Sequence, residues 1–114
     1  MTSQLDSVNP ATEAFLASFP PSTPDEVEAA IAAADGAQQA WRRTSFVGRA
    51  AAMRRLAAHL RGRRDEYGRL ITLEMGKPIV EAVAEIEKCA WACEFYADQA
   101  AGFLGDQVVA TNAS

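Results

Sequence analysis

The sequence predicts a mainly α segment of about four helices with a small N-terminal β-hairpin, and three observations predict it. The first is Leu73-Glu74-Met75-Gly76-Lys77-Pro78. Gly76 has no Cβ and can take the left-handed conformation that ends a helix, while Pro78 cannot continue that helix but suits the first turn of the next. The second is Thr23-Pro24-Asp25-Glu26, where Thr23 can cap, Pro24 fits the first helical position and Glu26 completes a capping box. The third is the alternation of Phe15, Ala17 and Phe19 with Leu16 and Ser18, the period of a half-buried strand.

Taken in order, residues 1–22 read as extended. Pro10 biases Asn9 away from the helical region, so Val8-Asn9-Pro10-Ala11-Thr12-Glu13 is a turn. A Leu5–Val8 strand can pair across it with Phe15–Phe19, and Pro20-Pro21 ends the pair. A lone hairpin is marginal in water, so this one must lean on something else.

Residues 23–104 read as helical. The first helix carries Val27, Ala30, Ile31, Ala34, Ala37 and Trp41 on one face and ends near Trp41 to Arg43. Asp25 and Glu26 suit the positive end of its dipole. The second, capped by Thr44 or Ser45, runs to about Arg61 with Met53, Leu56, Ala57 and Leu60 as its buried stripe and Arg54, Arg55 and Arg61 outward; Gly62 breaks it. The third, about Asp65 to Met75, is expected to bury Tyr67, Leu70, Ile71 and Met75. The fourth, about Ile79 to Phe103, sets Ile79, Val83, Ile86, Ala90, Cys93 and Ala97 on one face and Trp91 and Phe95 on another. Large apolar groups on two sides call for neighbours on two sides. Gly105 ends it, and within 105–114 the run Gln107–Thr111 reads as the start of a strand without a partner. The whole, 1–114, is a single partial domain with more apolar surface than it can cover.

Composition bounds the function. A chain of 114 residues with 49% hydrophobic and 23% charged residues is an ordinary globular type, long enough for one small domain burying roughly 65% of its unfolded surface. No apolar run of about 18 residues exists to span a membrane, and Met1-Thr2-Ser3-Gln4-Leu5-Asp6 lacks the basic start and apolar core of a signal peptide. A cytoplasmic location is the default expectation. The net charge of −4 is unevenly placed. Residues 1–41 carry six acids and no base, residues 42–69 nine arginines against Asp65 and Glu66, and residues 70–114 seven acids against Lys77 and Lys88.

No residue is assigned a catalytic, cofactor-binding or metal role. Cys89 and Cys93 stand four apart on one helix, a spacing that does not favour a disulfide, and a reduced compartment fits them. As zinc ligands they fall short, with His59 the only histidine and about 30 residues distant on another helix; packing cysteine is the preferred reading. Lys88 adjoins Cys89 but not on its face, so it does not activate that thiol. The arginine belt lacks the interleaved aromatics that stack bases, and is read as a solvated face pairing with acidic neighbours rather than a nucleic-acid site. Glu81, Glu85 and Lys88 read as a polar helix face, and His59 as a partly exposed helix residue. No G-x-G-x-x-G phosphate loop occurs.

The order of the pieces adds what the single residues do not. Asn9-Pro10-Ala11-Thr12, a capped helix ending in "AW", an Arg49-containing helix with "RRLAAHL", then "LITLEMGKP" and "EAVAEIEKCAWACEFYA" together resemble the N-terminal part of NAD(P)-dependent aldehyde dehydrogenases. The stretch Glu85–Ala97 is most similar to the succinate-semialdehyde dehydrogenase branch. The resemblance covers about residues 8–114. It implies an α/β parent enzyme that takes an aldehyde to its acid through a cysteine thiohemiacetal, hydride transfer to the nicotinamide, and hydrolysis assisted by a glutamate. It places that cysteine, that glutamate, the oxyanion asparagine and the dinucleotide-binding glycines beyond the position of Ser114, so that Cys89 and Cys93 match helix positions and not the nucleophile. NAD or NADP is implied for the parent, and none is expected to bind this chain alone. The implied partners are the remainder of the dehydrogenase, or a homo-oligomer through exposed apolar helix faces, with no nucleic acid and no membrane. Many relatives have glycine after Asn-Pro-Ala-Thr; Glu13 stands there instead, and an altered or shortened hairpin turn is expected. The alternative reading is a stand-alone helical protein-interaction module using an exposed apolar helix face.

Overall fold

The computed structural model describes residues 4–112, so Met1-Thr2-Ser3 and residues 113–114 lie outside the described residues. Its order is β1 (Leu5–Val8), β2 (Phe15–Phe19), α1 (Pro24–Trp41), α2 (Phe46–Gly62), α3 (Arg64–Met75) and α4 (Ile79–Phe103). The strands pair antiparallel, Leu5 with Phe19, Asp6 with Ser18, Ser7 with Ala17 and Val8 with Phe15, leaving Leu16 as the extra residue of a bulge.

The turn between them is closed by Asn9. Its Oδ1 accepts from the amides of Ala11 at 2.8 Å and Thr12 at 3.3 Å, while Glu13 N donates to Asn9 O at 2.8 Å and Asn9 N to Ala14 O at 2.9 Å. Glu13 sits at φ 61, in the left-handed region. The turn therefore closes with glutamate holding a conformation that glycine adopts freely. Such a residue costs about 1–2 kcal/mol there, and glycine gives back part of that through its own chain entropy. Glu13→Gly should raise the urea midpoint of the chain by an amount equivalent to about 0.5 kcal/mol; an unchanged or lowered midpoint contradicts the strain.

The helix starts follow their caps. Thr23 N donates to Glu26 Oε2 at 2.8 Å and Glu26 N donates back to Thr23 Oγ1 at 3.3 Å, the capping box in full. At α2 the cap is Ser45, whose Oγ accepts from Gly48 N at 3.2 Å. Only Arg63 separates α2 from α3. At the corner Gly76 takes φ 71 and donates to Thr72 O at 3.0 Å, ending α3. Pro78 stands just outside α4 rather than in its first turn, its carbonyl accepting from Ala82 N at 2.9 Å.

Both α2 and α3 pack on α4, and small residues make the seams. Ala57, Ala90 and Cys93 form the core between α2 and α4, with Met53 and Leu60 packed against it. Ala82 and Ile86 are also buried on α4, and Gly68 is the buried residue of α3. A Cβ on Gly68 would stand 2.7 Å from Val83 Cγ2 and 3.2 Å from the Val83 backbone, so α3 approaches α4 closely only because that atom is missing. Such seams fix geometry but bury little apolar area.

Several expected core residues are outside. Leu56 and Leu70 are exposed, and Met75 is 75% exposed, because close α2–α4 and α3–α4 packing is centred on the small residues beside them. Cys89 is also exposed, against its reading as buried packing; only Cys93 is buried. Arg61 does not point outward but lies against α4. Gln107–Thr111 forms no strand, and among the described residues no strand pairs with it to take its backbone bonds.

The hairpin and α1 stand apart from this helical body. No residue of α1 is buried. The hairpin touches the α3–α4 corner, where Ser7 Oγ donates to Glu74 Oε1 at 2.8 Å. The radius of gyration is 20.4 Å, with extents of 69 × 40 × 24 Å; a compact chain of this length has about 13 Å.

Candidate functional site

The polar side chains come first, because catalysis needs them. Arg61 crosses from α2 to α4, with Nε donating to Glu87 Oε1 at 2.6 Å, Nη2 to Glu94 Oε2 at 2.8 Å and Nη1 to Glu94 Oε1. Arg54 pairs with Asp98 at 2.5 Å, Arg63 with Glu66 at 2.6 Å and Arg64 with Asp65 at 3.1 Å. Among the described residues four of the nine belt arginines, Arg54, Arg61, Arg63 and Arg64, thus pair with acids. Of the polar face of α4, Glu85 pairs with Lys77, which stands just before the helix.

Glu94 is held below the usual carboxylate range, first by the Arg61 hydrogen bond and then by its charge, against the opposing effect of burial. Arg61 is pushed upward by the hydrogen bonds it donates to Glu94 and Glu87 and stays charged. A carboxylate with a lower pKa folded than unfolded stabilises the fold above its unfolded value of about 4.3. That contribution fades as pH falls through the lower, folded value. The α2–α4 pair should therefore lose stability progressively below about pH 5. Glu94→Gln should start lower at neutral pH and lose less on acidification, read as Tm against pH; parallel curves would contradict the linkage.

His59 is exposed and its Nε2 lies 2.8 Å from the Tyr67 hydroxyl. Among the described residues no group of three or more His, Cys, Asp and Glu is placed to hold a metal. Among the described residues no helix N-terminus suits a dinucleotide. A pyrophosphate seeks free amides at a helix N-terminus, but α1, α3 and α4 carry acids in their first turns and α2 is capped by its own Ser45. Among the described residues no helix is long and apolar enough to cross a membrane.

What the chain does present is apolar surface. On α4, Trp91 is 58% and Phe95 38% exposed, with ring centroids 5.7 Å apart, and Phe103 lies 6.1 Å beyond Phe95. On α1, Val27, Ile31 and Trp41 are exposed along one stripe. The total accessible surface is 9131 Å², whereas a folded monomer of this mass exposes about 6,100 Å². The difference, about 3,000 Å² on this chain alone, is at least one partner's share of an obligate interface.

The whole chain, residues 1–114, matches the profile of the aldehyde dehydrogenase family. The chain belongs to that family. It is 44% identical over 107 residues to a probable succinate-semialdehyde dehydrogenase [NADP(+)] of Synechocystis, an alignment covering 94% of this chain and 24% of the relative. It is 39% identical over 110 residues to aminoaldehyde dehydrogenase 2 of Zea mays, covering 91% of this chain and 22% of that one. Among solved structures, succinic semialdehyde dehydrogenase from Streptococcus pyogenes in complex with NADP+ superposes with a TM-score of 0.87 at 30% identity, covering 94% of this chain and 24% of that chain. The hairpin and four helices are therefore the N-terminal segment of the aldehyde dehydrogenase fold. The chain spans about a quarter of the length of the relatives it matches.

Two features escaped the sequence reading. Arg49 donates through Nη2 to Trp41 O at 3.3 Å and Arg42 O at 3.1 Å, closing the C-terminus of α1; no local pattern signals a bond across a helix junction. Gly68 as the contact point of α3 was the other, hidden because glycine in a helix reads as a defect rather than as a seam.

Proposed function

We propose that this chain is the N-terminal part of an oxidoreductase that oxidises an aldehyde, succinate semialdehyde, to its acid with NAD(P)+. Its residues supply scaffold and no chemistry: the nucleophile, the hydrolytic glutamate and the dinucleotide site belong to the remainder of the dehydrogenase. The observation that carries this reading is the row of exposed apolar side chains on α1 and α4, on a chain whose total surface exceeds that of a folded monomer of its mass. The substrate rests on the succinate-semialdehyde dehydrogenases among the relatives, and NAD against NADP is left to the remainder.

The test is complementation. The 114-residue chain is co-expressed with the Synechocystis relative lacking the residues that align with it. Reduction of NADP+ by succinate semialdehyde is expected only when both pieces are present. Failure to restore activity would overturn the scaffold role, and turnover by the purified 114-residue chain alone would overturn its proposed inactivity.

The exposure of Trp91 and Phe95 favours one second reading, a stand-alone module that binds a protein through this aromatic row. It requires a soluble dimer of the purified chain that Trp91→Ala dissociates in sedimentation.

A further inference from the structure

The direction of α1 is not set by burial, because none of its residues is buried. The connection Arg42–Ser45 bends the chain, with Arg43 N donating to Ala40 O at 3.2 Å and Thr44 N to Trp41 O at 2.9 Å. Both bonds join the connection to α1 and reach nothing on α2. Arg49, the fourth residue of α2, does reach across. Its Nη2 donates to Trp41 O at 3.3 Å and Arg42 O at 3.1 Å, and its guanidinium lies over the Trp41 ring, 5.9 Å from the centroid. Nε is out of solvent with no acceptor, so the group is seated in the junction rather than free in water. Its own helix does not favour it there. A cation in the first turn of α2 faces the positive end of that helix's dipole, and α2 has no acid in that turn to offset it. What offsets the cost is the end of α1, whose terminal carbonyls and negative dipole end Arg49 meets.

We propose that Arg49 is a clasp that fixes the direction of α1 on the helical body before the remainder of the dehydrogenase covers it. The chain then offers α1 in its final orientation, and docking need not first order it. Succinic semialdehyde dehydrogenase from Streptococcus pyogenes superposes over 94% of this chain with a TM-score of 0.87, a share that takes in most of α1. Thus α1, unburied here, already stands close to where it does in a longer relative. What docks on α1 rests on the scaffold role; the clasp itself does not.

The experiment records backbone amide residual dipolar couplings of the full 114-residue chain in a weakly aligning medium. In the parent chain the couplings of α1 and those of the body, α2, α3 and α4, are expected to fit one common alignment. Arg49→Met removes both carbonyl bonds. It should shrink the α1 couplings and take α1 out of the common alignment, while those of the body stay unchanged and report that it is folded. Arg55→Met, at an exposed arginine of the same helix, should leave α1 aligned with the body. Arg49→Lys serves as the second variant: a point ammonium replaces the planar fork, and α1 should again loosen with the body intact. The measurement needs no remainder, so a failed complementation leaves it readable and a loose α1 leaves the scaffold role standing. A separate alignment of α1 in the parent chain would overturn the proposal. So would a common alignment kept in Arg49→Met or, where that variant unfolds the body, in Arg49→Lys.

Discussion

Gly68→Ala is expected to destabilise the helical body by about 1–3 kcal/mol. The new Cβ meets Val83 at side chain and backbone alike, so a rotamer change of Val83 cannot remove the clash and α3 must move off α4. Elsewhere in a helix the same substitution stabilises by about 0.5–1 kcal/mol, because alanine loses less chain entropy on folding. Gly62 provides that control, since a Cβ there meets nothing within 4 Å. Urea melts followed by far-UV circular dichroism should therefore move in opposite directions for Gly68→Ala and Gly62→Ala. Movement in the same direction would mean that α3 does not sit on α4 as described.

Gly76→Ala is expected to cost about 1–2 kcal/mol, the penalty of placing a Cβ in the left-handed region. At φ 71 the strain is set by the backbone itself, and the added atom would also stand 3.1 Å from Pro10 Cγ, where the hairpin meets the corner. The two contributions separate by combination. Gly76→Asn should recover part of the loss, since asparagine tolerates this conformation. Pro10→Ala added to Gly76→Ala should recover a different part by opening the contact. If Gly76→Ala melts like the parent chain, the corner does not need its glycine.

Helix starts were legible in the sequence because caps are local. Thr23, Glu26 and Ser45 make the bonds their types and spacing predict, and Gly76 ends α3 as a glycine before Lys-Pro should. Burial was less legible, because it depends on which face meets a neighbour and how closely. Leu56, Leu70 and Met75 fit a helical stripe by period yet lie exposed, since Ala57, Gly68, Ala90 and Cys93 draw the helices together at the small residues instead. Arg61 was misplaced for a related reason: its partners Glu87 and Glu94 are distant in sequence, and nothing in the charge count shows that they lie on the facing helix. The two-sided character of α4 was readable, and one of its sides stays open. Catalytic residues were expected outside this stretch, and the order of its motifs carried the family where no single residue did.

The most direct measurement is an immunoblot of the native source with an antibody raised against residues 23–41. A chain whose α1 buries nothing and whose surface exceeds that of a folded monomer by about 3,000 Å² should exist as part of a longer polypeptide. The expected result is a single band several times heavier than 12.2 kDa. A single band at 12.2 kDa would contradict the account, because the apolar faces of α1 and α4 would then have no dehydrogenase remainder to cover them.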